Sequence, residues 1–179
     1  MKLVILDRDG VINQDSDAFI KSPDEWIPLP GSLEAIARLN HAGYYVAIAS
    51  NQSGLARGLL NIDQLNAIHQ KMLDALSQIG GHIDSFFFCP HGPDEDCDCR
   101  KPKPGLFQQI SDRMDVDLTD VPAIGDSLRD LEAAASMGAS PILVLTGKGR
   151  KTLTELKAFG EVPVYEDLAA AVDALLAAG

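Results

Sequence analysis

The chain has 179 residues, 46 % of them hydrophobic, enough for one globular domain spanning 1–179 with a substantial core and too few for two. A formal net charge of −11 argues against a broad nucleic-acid surface, while leaving room for a small basic pocket around an anionic ligand. No apolar run reaches the length of a membrane span, and acidic residues from position 7 onward do not fit a signal peptide, so a cytoplasmic chain without membrane attachment is expected.

The first predicted strand, Lys2 to Leu6, is an apolar run that ends in Asp7-Arg8-Asp9-Gly10. Ligands of open α/β sheets sit at the carboxyl ends of strands, which places Asp7 and Asp9 at the mouth of a site. Two close carboxylates stay ionised only with a cation or a proton between them, so the pair points to a metal, to proton transfer, or to both. The alternative is an ordinary polar turn, in which Asp and Gly are common. A long loop with Pro23, Pro28 and Pro30 follows, and Trp26 can pack it down. Ser32 is expected to cap a helix running to about His41 and closed by Gly43. A second strand, Tyr45 to Ala49, leads into Ser50-Asn51-Gln52-Ser53-Gly54.

Asn61 and Gln64 form a capping-box pair ahead of a helix carrying Ile62, Leu65, Ile68, Met72, Leu73 and Leu76 at helical spacing, ended by Gly80-Gly81. Ile83 to Phe88 reads as a third strand, followed by an irregular loop from Cys89 to Pro104. Beyond it come a helix (106–114), a strand (121–124) ending in Gly125-Asp126, a helix (128–137) closed by Gly138, and a strand (141–145). A helix near 152–159, a short strand at 162–165 and a helix at 168–178 complete the chain. This alternation predicts an α/β fold: a doubly wound parallel sheet with helices on both faces. Neither interval between the motifs is long enough for a separate cap domain.

Four strand ends therefore carry polar groups that such a sheet brings to one edge: Asp7 and Asp9; Ser50 and Asn51; Arg100, Lys101 and Lys103 beyond the third strand; and Asp126 with Asp130 one turn on. Hard carboxylates suit Mg²⁺, and lysine, serine and backbone N–H groups suit a phosphoryl group. A carboxylate can also attack phosphorus to give an aspartyl-phosphate. Both Lys101 and Lys103 flank Pro102 and can reach inward. The loop offers Cys89, His91, Cys97 and Cys99, three thiols and an imidazole, a closed tetrahedral set suited to structural Zn²⁺; free loop thiols are the alternative. Zinc there would pin the loop so that Arg100 and Lys101 face the site.

Taken in order, Asp-x-Asp-Gly, a strand-end Ser, a Lys and Gly-Asp-(x3)-Asp resemble the four-part signature of the haloacid dehalogenase superfamily of phosphohydrolases, over roughly residues 2–145. The second Asp, Asp9, resembles the phosphatases of that superfamily. The resemblance implies Asp7 as nucleophile, Asp9 as general acid and then base, and Ser50 and Lys101 holding the transferring phosphoryl group. It implies Mg²⁺ on Asp7, the Asp9 backbone carbonyl and Asp126, with Asp130 supporting Lys101 or the metal. The Cys-x-His…Cys-x-Cys-Arg-Lys-Pro loop is similar to two bacterial groups, the heptose 1,7-bisphosphate phosphatases and the histidinol-phosphate phosphatases. The stretches 7–10, 50–58 and 99–105 look closer to the first, which implies removal of the 7-phosphate in heptose biosynthesis for surface glycans such as lipopolysaccharide. Histidinol phosphate, or another small phosphate ester, is the alternative substrate. In this reading Asp15, Ser16, Asp17, Ala18, Asn51, Gln52, Ser53, Arg57 and Arg100 line the substrate, a small phosphorylated sugar, and a monomer is expected. Arg129, Lys148 and Arg150 add positive field near the mouth. His41, His69 and His82 have no partner at ligand spacing and read as structural or solvated.

Overall fold

A computed structural model describes residues 1–179. In chain order its regular elements are β1 (Lys2–Leu6), α1 (Ser32–His41), β2 (Tyr44–Asn51), α2 (Ile62–Ser77), β3 (Ser85–Cys89), α3 (Gly105–Met114), β4 (Pro122–Gly125), α4 (Leu128–Ser136), β5 (Ser140–Val144), α5 (Gly149–Leu153), β6 (Val164–Tyr165) and α6 (Leu168–Ala178). All strand pairs are parallel, in the order β3-β2-β1-β4-β5-β6. The chain winds outward from β1 to β3, then returns to start β4 on the other side of β1. That reversal opens a crevice between the carboxyl ends of β1 and β4, where sheets of this kind bind ligands. The register pairs Leu6 with Ile124, and Asp7 N–H donates to the Ile124 carbonyl at 3.1 Å, so Asp7 and Asp126 leave the sheet close together.

Side chains alternate across the sheet. Val4, Leu6, Val46 and Ile48 join one core cluster with Ile36 and Leu39 of α1, Leu65, Ile68 and Met72 of α2, and Val172 of α6. Leu3, Ile5, Ala47 and Ala49 join the other with Leu106, Phe107 and Ile110 of α3 and Ala133 and Ala134 of α4. Each fully buried aliphatic of this size contributes about 1.5–3 kcal/mol of transfer free energy. Both faces of the central strands are covered, which is why β1 and β2 read as continuous apolar runs.

The capping box before α2 is present: Asn61 Oδ1 accepts from Gln64 N–H at 2.9 Å and Gln64 Oε1 from Asn61 N–H at 2.8 Å. Two local expectations change. Ser32 is the first residue of α1, not its cap; Gly31 takes the cap position at φ 80° and Ser32 Oγ donates to the Val11 carbonyl at 2.8 Å, tying the helix to the loop after β1. The helix expected near 152–159 is instead α5, ending at Leu153, followed by a single 3₁₀ turn, Leu156–Ala158.

Candidate active site and cysteine cluster

A cleft of about 270 Å³ lies at the carboxyl edge, above β1, β2 and β4, and only one of its lining residues, Phe19, is hydrophobic. Lys101 forms its centre. Its buried ammonium donates to Asp7 Oδ1 (3.2 Å) and the Ala49 carbonyl (2.8 Å) and pairs with Asp130 Oδ1 (2.6 Å). Asn51 clamps the backbone of Lys101, accepting its N–H on Oδ1 at 3.0 Å and donating from Nδ2 to its carbonyl at 3.2 Å. Lys103 turns away and donates to the Cys97 carbonyl at 2.7 Å. Asp130 Oδ2 accepts the N–H groups of Asp126 (3.2 Å) and Ser127 (3.1 Å), so it caps α4 while pinning Lys101.

Asp9 is held differently. Its Oδ1 accepts from Arg8 Nε and from Asn13 Nδ2, each at 2.9 Å, while Gln52 Nε2 lies 3.5 Å from Oδ2. Gln52 also donates to Ser50 Oγ at 2.8 Å. Burial raises the Asp9 carboxyl, but the Arg8 guanidinium and these hydrogen bonds outweigh it and hold the group below the usual carboxylate range.

The remaining carboxylates crowd one another. Ligand atoms of Asp7, Asp126 and Asp130 lie within 4.8 Å. Burial first, then the Asp130 charge, pushes Asp7 up to about 7 against the opposing Lys101 charge. Burial, Asp130 and Asp7 push Asp126 up to about 9. Asp130 stays low despite burial because Lys101 and its hydrogen bonds favour the charged form. A cation between Asp7 and Asp126 would remove the strain, and an all-oxygen donor set of this kind fits Mg²⁺. The backbone is shaped to leave the space open: a Cβ at Gly10 (φ 88°) or Gly147 would run into the Asp126 carboxylate. Lys148 N–H donates to Asp126 Oδ2 at 2.9 Å, and its ammonium reaches across the mouth to Asp15 Oδ2 at 2.6 Å.

Beside the cleft, Cys89, His91, Cys97 and Cys99 gather at the end of β3. His91 Nδ1 lies 3.5 Å from Cys89 Sγ and 3.4 Å from Cys99 Sγ, and Cys97 Sγ lies 3.8 Å from Cys89 Sγ. Three sulfurs and a ring nitrogen, all within 4.8 Å of one another and with Cys99 Sγ 2.6 Å from Cys89 Sγ, offer the four N and S donors that a structural Zn²⁺ takes. The cluster is joined to the cleft by sequence, Arg100 and Lys101 following Cys99, and by a 3.3 Å hydrogen bond from Arg100 to the His91 carbonyl.

Known proteins fit this geometry. A family model described as polynucleotide kinase 3 phosphatase matches residues 2–128, and one described as HAD-hydrolase-like matches residues 98–171. The D-glycero-beta-D-manno-heptose-1,7-bisphosphate 7-phosphatase of Bordetella bronchiseptica is 63 % identical over 98 % of both chains, and the protein of the same name from Pseudomonas aeruginosa is 52 % identical over 97 % of both. A crystal structure of the D,D-heptose 1,7-bisphosphate phosphatase from B. bronchiseptica, complexed with magnesium and phosphate, superposes with a TM-score of 0.98 at 62 % identity, covering 100 % of each chain. The chain belongs to the heptose bisphosphate phosphatase family of the haloacid dehalogenase superfamily.

Against that family, most residues singled out in the sequence meet in one place. Asp7, Asp9, Asp15, Ser16, Asp17, Ser50, Asn51, Ser53, Arg57, Arg100, Lys101, Asp126 and Asp130 all line the cleft. Two do not. The side chain of Ala18 is exposed outside it, its N–H accepted by Ser16 Oγ, and Gln52 is buried beneath it, bracing Ser50 and Asp9. Arg129 and Lys148 do line the mouth, as do Phe19 and Ser127, which sequence reasoning passed over. Lys148 follows β5, so the strand-end logic that found Asp7 and Asp126 reaches it too. Arg8 and His69 were also passed over as parts of the site. Arg8 is wholly buried between Asp9 and His69, a placement no local pattern announces.

Proposed function

We propose that this protein is a Mg²⁺-dependent phosphatase that removes the 7-phosphate of D-glycero-β-D-manno-heptose 1,7-bisphosphate. The observation that carries the reading is the pairing of two anion sites in one cleft: a floor of Asp7, Ser50 and Lys101 built to transfer one phosphoryl group, and a rim of Arg57, Arg100, Arg129 and Lys148 with charge to hold a second. Within the rim Arg57, Arg100 and Arg129 crowd one another, while Lys148 is paired with Asp15. Burial first, then Arg129 and Arg57, lower the Arg100 guanidinium, and a phosphate among them relieves that repulsion. The names and full-length similarity of the relatives support the heptose substrate and its β anomer.

In this reading Asp7 attacks the 7-phosphorus, forming an Asp7 O–P bond as the P–O7 bond breaks. Asp9 gives O7 its proton, which arrives with the phosphomonoester, whose second pKa is about 6. Lys101 and Ser50 hold the equatorial oxygens as charge shifts onto them. Asp9, now ionised, takes a proton from a water that attacks the phosphorus of phospho-Asp7, freeing phosphate and restoring the carboxylate. Asp7, Asp126 and the Asp9 carbonyl would hold Mg²⁺, which supplies positive charge to the transferring group. Cys89, His91, Cys97 and Cys99 would hold Zn²⁺ as a structural clip on the loop bearing Arg100 and Lys101. No helix is long and apolar enough to cross a membrane, and we take the enzyme to work as a cytoplasmic monomer on a free sugar phosphate.

The test is Mg²⁺-dependent phosphate release from the two heptose anomers, histidinol phosphate and a 3′-phosphorylated oligonucleotide, beside Asp7→Asn. The expected result is a preference for the β anomer that the variant loses. Preference for histidinol phosphate or the oligonucleotide would overturn the substrate.

A further inference from the structure

We propose that His69, on α2 and outside every motif of the active site, is a positioning residue that fixes the proton-transfer geometry of Asp9 through Arg8; this rests on the reading of Asp9 as general acid. Arg8 stands between the two active-site carboxylates in sequence, yet its side chain is fully buried and points beneath the cleft. One edge of its guanidinium meets Asp9 Oδ1: Nε donates to it at 2.9 Å, and Nη2 stands 2.8 Å from it as an ion pair without the alignment of a hydrogen bond. The other end, Nη1, lies 3.2 Å from His69 Nε2. An arginine only donates, so His69 Nε2 is the acceptor and the imidazole is neutral. Burial, then the Arg8 charge, pushes His69 down to about 4, in keeping with that role. The ring is fixed in turn by stacking on Phe86 of β3, centroids 4.5 Å apart and planes 18° from parallel.

The consequence for Asp9 is an inequality between its two oxygens. Oδ1 is saturated by Arg8 and Asn13, whereas Oδ2 has only the long Gln52 contact. The proton passed to the leaving oxygen therefore resides on Oδ2. A rigid fork sets which oxygen that is and where it points, and the fork is rigid because both of its ends are held. Without the acceptor on His69, Arg8 Nη1 is buried unpaired, and the fork gains an incentive to rotate off Asp9.

A leaving-group comparison separates this role from simple scaffolding. The value of kcat/KM covers only steps through formation of phospho-Asp7, and a sugar alkoxide needs protonation to leave whereas p-nitrophenolate does not. His69→Phe keeps a ring against Phe86 and deletes the acceptor; Arg8→Lys keeps the charge but cannot span Asp9 and His69. In each, kcat/KM for the heptose bisphosphate is expected to fall about 10- to 100-fold, part of the 10²–10⁴ that a general acid supplies, while that for p-nitrophenyl phosphate changes less than about threefold. His69→Gln, which returns an acceptor, is expected to restore most of the sugar-phosphate rate. Equal losses on both substrates, no loss on either, or failure of both His69→Phe and Arg8→Lys to fold would overturn the assignment and leave His69 a packing residue. Asp9→Asn run alongside distinguishes the two readings. If Asp9→Asn also lacks the leaving-group selectivity, the general-acid reading of Asp9 falls and the proposal with it; if Asp9→Asn shows it and His69→Phe does not, only the proposal falls.

Discussion

Replacing Asp7 by Asn is expected to abolish turnover and at the same time stabilise the protein when Mg²⁺ is absent. The Asp7 carboxyl is raised from 3.8 to about 7, chiefly by burial and then by Asp130 and Asp9, with Lys101 opposing. An acid raised on folding holds its proton longer in the native state, so stability falls as pH climbs from the unfolded value to the folded one. At about 1.36 kcal/mol per unit, a shift of roughly 3 units costs about 4 kcal/mol once the pH exceeds 7. Asparagine is an uncharged isostere whose Oδ1 can still accept from Lys101, so the variant escapes this cost. For a chain of this length, 1 kcal/mol moves Tm by about 2–4 °C, so the variant's advantage near pH 8 is roughly 8–16 °C and shrinks steadily toward pH 4. Thermal unfolding across this pH range reads it directly, in buffer freed of Mg²⁺ by dialysis rather than by a chelator, which would also attack the zinc proposed for the cysteine cluster. Adding Mg²⁺ then raises the parent's Tm far more than the variant's. A variant no more stable than its parent at pH 8, or an advantage that grows on acidification, would refute the picture of crowded carboxylates waiting for a cation.

Lys101→Met strands the Asp130 carboxylate, now 2.6 Å from the ammonium, in a buried site; urea unfolding is expected to show a loss of about 3–5 kcal/mol, together with loss of turnover. Elemental analysis is expected to find one zinc per chain, and stripping it should abolish activity in a way that Mg²⁺ alone does not restore and Zn²⁺ with Mg²⁺ does, because Arg100 and Lys101 hang from Cys99. Asn61→Ala removes the capping box of α2 far from the chemistry; it is expected to cost about 1 kcal/mol, or 2–4 °C in Tm, with phosphatase kinetics unchanged.

The floor of the site was legible because it is made of strand ends. A parallel sheet gathers its carboxyl ends at one edge, so Asp7, Asp9, Ser50 and Asp126 could be placed together from three separate short runs; the loop after β3 offered Lys101 and Lys103 alike, and only the family resemblance favoured Lys101. The cysteine cluster was legible because all four of its members lie within eleven residues of chain, Cys89 to Cys99. Side-chain direction within loops was not. Nothing local says that Gln52 turns under the cleft while Ser53 faces it, that Ala18 misses it, or that Lys101 enters while Lys103 caps the Cys97 carbonyl. Ser32 had the residue type of a cap, but Gly31 alone fits the left-handed backbone that starts α1. The Arg8–His69 contact joins residues 61 apart in sequence through two elements and leaves no periodic trace; His69 is at a helix position that reads equally well as surface.

The central claim is that Asp7 accepts the phosphoryl group from the sugar's 7-oxygen, with Asp9 moving the proton. The most direct test is rapid acid quench of the enzyme during turnover of the β-heptose bisphosphate with Mg²⁺, followed by mass spectrometry of its peptides and of the released sugar. The account predicts one added phosphoryl group, confined to the peptide containing Asp7, with the heptose 1-phosphate as product. Steady turnover with no phosphorylated peptide, or with the group on Asp9, Asp126 or Asp130, would contradict it.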